Sequence, residues 1–383
     1  MKRSTDRILT THTGSLPRPP DLVPLLLGTD QAGADGDAVR DRVRSAVREA
    51  VNKQVAAGLD VVSDGEMGKP GFAHYVKDRL TGFQGEAAPR PFAPRDLLDF
   101  PEVARHLFSA DGDERPRPPM PTNDGPIAYV GWDRLAADLD NFTAALENQA
   151  ATEAFLPAVS PGCAAMLMGT AYFGNRRDYL DALADALREE YRAIVDRGFL
   201  LQVDCPDLGL GRHLEFADLS ISEFRAVVEL HVAALNHALM GIDPDRVRVH
   251  VCWGNYPGPH HHDVALRDIL DIVYRVNGNG ISVEGANPRH EHEWAVFEEL
   301  PLPADKVLIP GVIDSCSNYI EHPEVVAQRI ERYARVVGRE RVIAGTDCGF
   351  GTMAGRSAVA PDVAYAKLAS LADGARLASS RLW

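Results

Sequence analysis

The segment RDYLDALADALREEYRAIVDRGFLLQVD, residues 177–204, contains one complete helix-to-strand unit of the chain. Its first part, Arg177–Arg197, repeats apolar side chains at spacings of three and four, as an amphipathic helix does. They are Leu180, Leu183, Leu187, Tyr191 and Ile194. Gly198 is a typical stop after such a helix, and the apolar run Phe199–Asp204 is typical of a strand covered on both faces. The segment therefore predicts one repeat of a fold in which parallel strands alternate with helices.

Seven other short apolar runs recur along the chain, separated by segments with helical spacing. They are Ile8–Thr13, Leu59–Asp64, Phe155–Ser160, Val247–Cys252, Gly280–Glu284, Val307–Asp314 and Arg341–Asp347. One intervening helix is predicted over 323–337, with Val325, Ile330 and Tyr333 turned toward one face. Eight strand–helix repeats favour a closed (β/α)8 barrel, although a count of repeats leaves a doubly wound sheet open.

The 383 residues are 45% hydrophobic and 25% charged, an ordinary globular composition that a single barrel with insertions can accommodate. The longest interval lies between the second and third predicted strands. Within it, residues 85–126 contain nine prolines, which disfavours regular helix there, at positions 89, 91, 94, 101, 116, 118, 119, 121 and 126. We expect one domain over 1–383 with an insertion at about 85–150, either a substrate lid over the barrel mouth or a surface elaboration.

The charge pattern excludes some classes of protein. The formal net charge is −15, and no run of Lys and Arg is long enough to track a phosphate backbone, which disfavours a nucleic-acid binder. The start of the chain, MKRSTDRILTTHTGS, lacks the apolar core of a signal peptide, and no stretch approaches the roughly 18 apolar residues of a membrane span. We expect a cytoplasmic protein that acts on small molecules. The cysteines are too few and scattered for a disulfide framework, so they should remain thiols.

Potential metal ligands occur at the ends of three predicted strands. His250 and Cys252 are two residues apart, so both side chains point to the same face of their strand. Glu284 ends the next strand, and Cys348 follows the last one. Because strand ends of a barrel meet at one mouth, these four residues predict a zinc site. Buried core residues, or a purely structural zinc, are the alternatives for this set.

The chain resembles the cobalamin-independent methionine synthase family, specifically its catalytic C-terminal barrel. The matching segments span nearly the whole chain in the same order, and they are Thr10–Arg18, Asp64–Glu66, Gln202–Asp204, His250–Cys252, Ser282–Glu284 and Asp347–Gly349. The resemblance implies a (β/α)8 barrel whose zinc, held at His250, Cys252, Glu284 and Cys348, activates a substrate thiol. It also implies that Ser15 and the backbone beside it bind a substrate carboxylate. Glu66 and Asp204 would bind the ammonium group, as of homocysteine.

Two features depart from this family pattern. The full-length synthases carry an additional N-terminal barrel that contributes to folate binding, whereas this chain has one barrel, so a methyl donor other than folate stays open. The family also places a proton-donating His after the seventh strand, where this chain has Cys316. His12 and the run His260–His262 are candidate substitutes for that proton donor.

The departures leave several functions open. The leading hypothesis is zinc-dependent methyl transfer to a small thiol. Single-barrel relatives include epoxyalkane:coenzyme M transferases, in which a zinc-bound thiolate opens an epoxide. Their sequences contain segments similar to residues 250–255 and 345–350 of this chain. That rival needs basic groups for a sulfonate, for which Arg18 and Arg289 are the nearest candidates. A uroporphyrinogen-decarboxylase-like enzyme, which has no need of zinc, is a further alternative.

Overall fold

The computed structural model of the protein describes residues 1–28, 36–85, 93–109 and 120–383. Eight parallel strands form one sheet, in the order β1-β8-β7-β6-β5-β4-β3-β2. The strands are β1 Leu9–Thr10, β2 Val61–Val62, β3 Glu153–Val159, β4 Leu200–Cys205, β5 Val247–Val251, β6 Gly280–Val283, β7 Val307–Ile313 and β8 Ile343–Thr346. At the closing edge, the amide of Asp60 beside β2 donates to the carbonyl of Thr10 in β1 at 3.2 Å. The predicted (β/α)8 barrel is therefore confirmed.

Helices surround this barrel. The α-helices of the described ranges are α1 Val23–Leu27, α2 Gly36–Ala56, α3 Arg95–Asp99, α4 Pro101–Ser109, α5 Trp132–Leu146, α6 Pro161–Leu167, α7 Arg176–Asp196, α8 Gly211–Leu214, α9 Ile221–Ala238, α10 Leu270–Val273, α11 Val296–Glu299, α12 Pro323–Val337 and α13 Pro361–Leu382. Short 3-10 helices occupy His74–Asp78, Pro244–Arg246, Leu266–Asp268, Glu291–Ala295 and Arg339–Arg341. None of the described helices combines the length and apolar character that crossing a membrane would require.

Two helices test the sequence pattern directly. In α7, all five predicted apolar positions are buried, and the side chain of Asn175 caps the first turn by accepting from the amide of Asp178. Helix α12 has the predicted bounds, but Val325 is 39% exposed, so its placement on the inner face was wrong. Val326 faces the core instead, because it lies four residues before Ile330 and therefore on the same side of the helix.

The first two strands are shorter than predicted, because the chain leaves the ladder early at the barrel mouth. Past β1, the hydroxyl of Thr13 donates to the carbonyl of Thr346 at 3.0 Å. Past β2, Gly65 and Glu66 adopt left-handed conformations with φ of 67° and 57°. A left-handed Glu is uncommon and costs conformational energy, so its turn is a candidate functional feature of the mouth.

Helices α3 and α4 lie inside the predicted insertion, so the expectation that its prolines disfavour regular helix was wrong there. Pro94 and Pro101 stand just before or at the first helical residue, where proline is compatible with a helix. The prolines at 89, 91, 116, 118 and 119 lie outside the described residues. In α3, Asp96 accepts hydrogen bonds from the Tyr256 hydroxyl at 2.7 Å and the His260 amide at 2.9 Å. The insertion therefore contacts the loop that follows β5.

Polar side chains fill the barrel interior in two levels. Gln202 in β4 pairs in register with Arg248 in β5, and one step closer to the mouth Asp204 pairs with His250. The Arg248 guanidinium is buried and donates to the Thr11 hydroxyl at 2.9 Å. These paired positions bring Asp204 and His250 to the same height at the carboxyl end of adjacent strands, the end at which barrel enzymes keep their active sites.

Candidate metal centre and substrate site

Three of the four predicted zinc ligands converge at the barrel mouth. One ligand atom each from His250, Cys252 and Cys348 lies within 4.8 Å of the other two. His250 is the fourth residue of β5, Cys252 follows that strand, and Cys348 comes two residues after β8. Strand alternation turns the side chains of His250 and Cys252 to the same face of β5. Closure of the barrel then brings Cys252 next to Cys348, which lies 96 positions later in the chain.

The spacing of the two thiols fits a tetrahedral metal ion. The Sγ atoms of Cys252 and Cys348 are 3.7 Å apart, and both cysteines are free and buried. Zinc–sulfur bonds of about 2.3 Å in a tetrahedral site place two sulfurs about 3.8 Å apart, whereas a disulfide requires about 2.05 Å. A hydrogen bond from Cys348 lowers the pKa of Cys252, while the same contact and burial raise the pKa of Cys348. The contact therefore makes Cys252 the more acidic of the two thiols.

The His250 ring presents one nitrogen to this cluster. Its Nδ1 lies 3.4 Å from the Ser282 hydroxyl in the adjacent strand β6, whereas its buried Nε2 has no hydrogen-bond partner among the described residues. Burial lowers the pKa of His250 to about 4, so the imidazole is neutral at neutral pH. A neutral imidazole with a free nitrogen is the form that binds a metal ion, and an orphaned buried nitrogen otherwise costs stability.

Glu284, the fourth predicted ligand, stands beside the three-residue cluster but is not one of its members under the same 4.8 Å limit. Its carboxylate is buried and accepts from the Trp253 amide and the Asn287 side chain, each at 2.8 Å. Burial and the negative charge of Cys252 raise its pKa well above the ordinary value. The two donors orient the carboxylate, and burial, together with the nearby Cys252, favours its protonated form.

Asp347 and Asn287 support this region and were not assigned roles from the sequence. The buried Asp347 carboxylate accepts from the amides of Gly285, Ala286 and Asn287, each at 2.8 Å. The Asn287 side chain bonds both Asp347 and Glu284. The turn after β6 is thus fixed by the residue that precedes Cys348. The only sequence signal was Asp347 in the motif shared with the family, and nothing in the sequence indicated its partners.

Gly311→Ala should disturb this support. A Cβ atom at Gly311 would lie 2.7 Å from the Cα and 2.8 Å from the amide nitrogen of Asp347, which real side chains do not approach. We expect the variant to lose about 1–3 kcal/mol of unfolding free energy, as overpacked cores do, and to bind metal more weakly. Urea unfolding and metal titration measure the two effects. Gly174→Ala is the control because nothing lies within 4 Å of the added atom, so an equal loss in both variants would contradict the argument.

Two carboxylates, those of Glu66 and Asp204, form a second group of polar side chains at the barrel mouth, which we call the ammonium pole. Glu66 is 1% exposed, and neither of its oxygens has a hydrogen-bond partner among the described residues. The nearest cationic groups, of Arg18 and Lys69, lie at 3.7 Å and 3.5 Å. Asp204 accepts from Gln202 at 2.7 Å, and burial with the nearby Glu66 charge raises its pKa to about 7. The pole therefore has unused acceptor capacity for a cationic group.

Ser15 abuts the segment that carries Cys348. It is buried, its carbonyl accepts from the Phe350 amide at 2.8 Å, and its hydroxyl approaches Gly349 so closely that an added Cβ there would clash. The amide of Gly14 donates to Nδ1 of His12 at 3.2 Å and is therefore already engaged. The structure thus brings Ser15 to the barrel mouth, beside the cluster of His250, Cys252 and Cys348, which we call the thiol cluster.

His12 and His260 offer no free ring nitrogen for proton transfer. The buried His12 ring accepts from Gly14 through Nδ1 and donates to Gln54 through Nε2 at 2.8 Å, and burial lowers its pKa to about 3. His260 bonds Asp263 and the Tyr256 carbonyl, each at 2.9 Å. These contacts are structural and give no support to a proton-donor role for either ring.

Cys316 lies at the mouth. Its thiol donates to Oδ1 of Asn255 at 3.1 Å, and the Asn255 amide donates to the carbonyl of Gly349 at 2.6 Å. One asparagine therefore links Cys316 to the residue that follows Cys348. Burial raises the pKa of Cys316 well above its ordinary value, so the thiol remains protonated at neutral pH. Asn255 had no role in the sequence interpretation because its partners are distant in the chain.

Comparison with known proteins agrees with this architecture. The chain is 23% identical over 374 residues to methionine synthase of Thermococcus kodakarensis, covering 97% of this chain and 94% of that one. It is 22% identical over 376 residues to methionine synthase of Pyrococcus furiosus, covering 96% and 91%. A B12-independent methionine synthase from a Shewanella species, solved with selenomethionine, superposes with a TM-score of 0.71 at 20% identity, covering 98% and 99% of the two chains. That likeness supports the fold.

The family assignment comes from a match to a family model. Residues 129–369, more than half of the chain, match the family described as the cobalamin-independent synthase, catalytic domain. This range contains the cluster of His250, Cys252 and Cys348 together with Asp204 and Glu284. The chain therefore belongs to the cobalamin-independent synthase family, as its motifs indicated, and corresponds to the catalytic domain of that family.

Proposed function

We propose that this protein transfers a methyl group to the sulfur of a small amino-acid thiol such as homocysteine. The observation that carries the proposal is the cluster in which a ring nitrogen of His250 lies within 4.8 Å of two thiols spaced for one tetrahedral ion. The buried Nε2 of this ring has no hydrogen-bond partner among the described residues. Membership of the cobalamin-independent synthase family and relatives named methionine synthase support the same reaction. The free thiols fit a reducing compartment, so we also propose a cytoplasmic location.

The donor set fits zinc. One neutral imidazole nitrogen, two thiol sulfurs and a carboxylate form a borderline-soft set of the kind zinc prefers, and we propose His250, Cys252, Cys348 and Glu284 as its ligands. Bound there, zinc would lower the pKa of a substrate thiol and present it as the thiolate nucleophile. Hydrogen bonds to Glu284 from Trp253 and Asn287 then have the role of holding that carboxylate in place.

The rest of the mouth orients the substrate. Glu66 and Asp204 are the proposed acceptors for the substrate ammonium group, because both are buried and Glu66 has no hydrogen-bond donor among the described residues. The backbone beside Ser15 is the proposed contact for the carboxylate. Since Asp204 and His250 are register partners on adjacent strands, the ammonium pole and the thiol-activating pole are neighbours. A short chain carrying both groups can therefore span them.

The direct test is product formation. Purified zinc-loaded protein would be given homocysteine with either 5-methyltetrahydrofolate or a methyl sulfonium compound as methyl donor. The expected product is methionine, formed as the sulfur–carbon bond is made and the bond from carbon to the leaving atom breaks. Absence of methionine with every donor, in protein that holds zinc, would remove this function.

Cys316 is the proposed proton donor to the leaving atom, because its thiol is protonated at neutral pH and linked through Asn255 to the Cys348 segment. Cys316→Ala should lower kcat by about 100-fold with a donor whose leaving nitrogen must be protonated, the scale of general acid catalysis. A methyl sulfonium donor leaves as a neutral thioether and needs no proton, so its rate should change little. Steady-state kinetics with both donors measures the difference; equal losses would assign Cys316 a structural role instead.

Thiol addition to an epoxide is the second candidate function, favoured by the likeness of residues 250–255 and 345–350 to segments of epoxyalkane:coenzyme M transferases. The candidate sulfonate-binding residues give this rival no support. Arg18 is buried and donates to the carbonyls of Gly351 and Lys69, and Arg289 is exposed. An assay with an epoxide and coenzyme M, without a methyl donor, decides between the two reactions by whether a thioether forms. The decarboxylase alternative has no support from the family match, which is to the cobalamin-independent synthases.

A further inference from the structure

A second group of potential metal ligands lies outside the thiol cluster. Nε2 of His261 and Nε2 of His262 approach the same carboxylate oxygen of Asp99, at 3.0 Å and 2.6 Å, and the three ligand atoms lie within 4.8 Å of one another. We propose that this Asp99 cluster, formed by Asp99, His261 and His262, binds a divalent transition-metal ion, zinc in the first place. The site is distinct from the proposed catalytic zinc because it shares no residue with it.

The donor chemistry favours such an ion. Two imidazoles and one carboxylate form a set used by open zinc sites, in which three protein ligands leave the remaining position for water. Imidazole also suits copper and nickel, whereas calcium and magnesium prefer oxygen ligands. The three side chains are 36% to 44% exposed, so an ion can enter from solvent and keep water in its shell.

Hydrogen bonds to the buried Asp96 fix the backbone next to the Asp99 cluster, and this orients the ligand side chains before a metal ion binds. His260 adopts a left-handed conformation with φ of 53°, and its amide donates to the buried Asp96 at 2.9 Å. Asp96 also accepts from the Tyr256 hydroxyl and precedes Asp99 by one turn of α3. His261 and His262 therefore follow directly after a turn whose backbone is fixed. Their ring centroids lie 4.2 Å apart, beside the end of α3. A metal ion would replace hydrogen bonds that already hold this arrangement.

The position of the Asp99 cluster suggests its role. Asp99 ends α3 in the insertion, whereas His261 and His262 belong to the loop that starts at Cys252. An ion bound there would cross-link the insertion to the loop that carries a ligand of the thiol cluster. Because ligand binding to the folded state alone stabilises it, the ion should strengthen the contact between the two segments.

Metal stoichiometry tests the proposal with zinc alone as the probe. The full chain, dialysed against a chelator and reloaded with zinc, should hold two ions, and Cys252→Ser should hold one. His261→Ala with His262→Ala, and separately Asp99→Asn, should each reduce the stoichiometry from two to one. His292→Ala removes an exposed histidine outside the cluster and should leave two ions. A single ion in the unmodified protein that is lost in Cys252→Ser, or two ions in the Asp99-cluster variants, would overturn the proposal.

Cobalt substitution distinguishes the two sites independently. Thiolate-to-cobalt charge-transfer absorption reports only the thiol cluster, whereas a site of two imidazoles and a carboxylate lacks that band. The histidine double variant should lose one equivalent of cobalt while the full thiolate band remains. Loss of half or more of the thiolate band in that variant would show that the histidines act on the thiol cluster, and would overturn a separate site.

Discussion

Cys252→Ser is expected to bind no zinc at the thiol cluster and to lower kcat/KM for methyl transfer by about 1,000-fold or more. The cysteine contributes one of two sulfurs that lie 3.7 Å apart, and no other described thiol is part of that cluster. Metal activation of a nucleophile is worth several kcal/mol of transition-state stabilisation, and each 1.4 kcal/mol corresponds to a factor of ten. Zinc content by elemental analysis and steady-state kinetics measure the two effects.

The matched control for this variant is Cys163→Ala, which removes a buried free thiol outside the metal-ligand cluster. It should keep zinc and most of the activity. Circular dichroism and urea unfolding distinguish the catalytic from the structural interpretation of the metal. A folded Cys252→Ser variant without turnover supports thiol activation, whereas loss of folding would favour a structural zinc. Retained zinc at the thiol cluster with normal turnover would contradict the ligand assignment.

Much of the barrel could be predicted because it depends on local periodicity. Apolar runs and amphipathic spacing located all eight strands and the bounds of α12, and alternation along β5 placed His250 and Cys252 on one face. Convergence with Cys348 then follows from barrel closure, which brings every strand end to one mouth. The error at Val325 shows the limit, since a shift of one residue rotates a helical side chain by about 100°.

The parts that escaped prediction depend on contacts between distant segments. Asp347 orients the turn that follows Glu284, and Asn255 connects Cys316 with Gly349, yet neither pairing has a spacing rule in the sequence. His12 has no free ring nitrogen for proton donation, because Gly14 and Gln54 bond to its two nitrogens, and the sequence did not indicate these contacts. Such side-chain contacts follow from how loops meet at the mouth, and loop geometry has no periodic signature.

Glu66→Gln combined with Asp204→Asn should lower kcat/KM for homocysteine by about 1,000-fold, provided that these carboxylates bind the ammonium group. Removing one partner of a buried charged pair costs about 2–5 kcal/mol, and here two partners of one cation lose their charge. The buried Glu66 oxygens, which lack hydrogen-bond donors among the described residues, make the effect large. An ammonium group offers three N–H donors to them.

The comparison that isolates this contact uses 4-mercaptobutanoate, which keeps the thiol, chain and carboxylate of homocysteine but has no amino group. Unmodified protein should prefer homocysteine strongly, because the analogue lacks the N–H donors that the ammonium group would supply to the buried Glu66 oxygens. In the double variant the preference should largely vanish, since neutral amides neither attract an ammonium nor require one. Glu189→Gln, an exposed carboxylate on α7, should leave the preference unchanged. If the double variant lost activity equally with both thiols, its carboxylates would be acting on the fold or the metal site, and the substrate ammonium would have to be bound elsewhere.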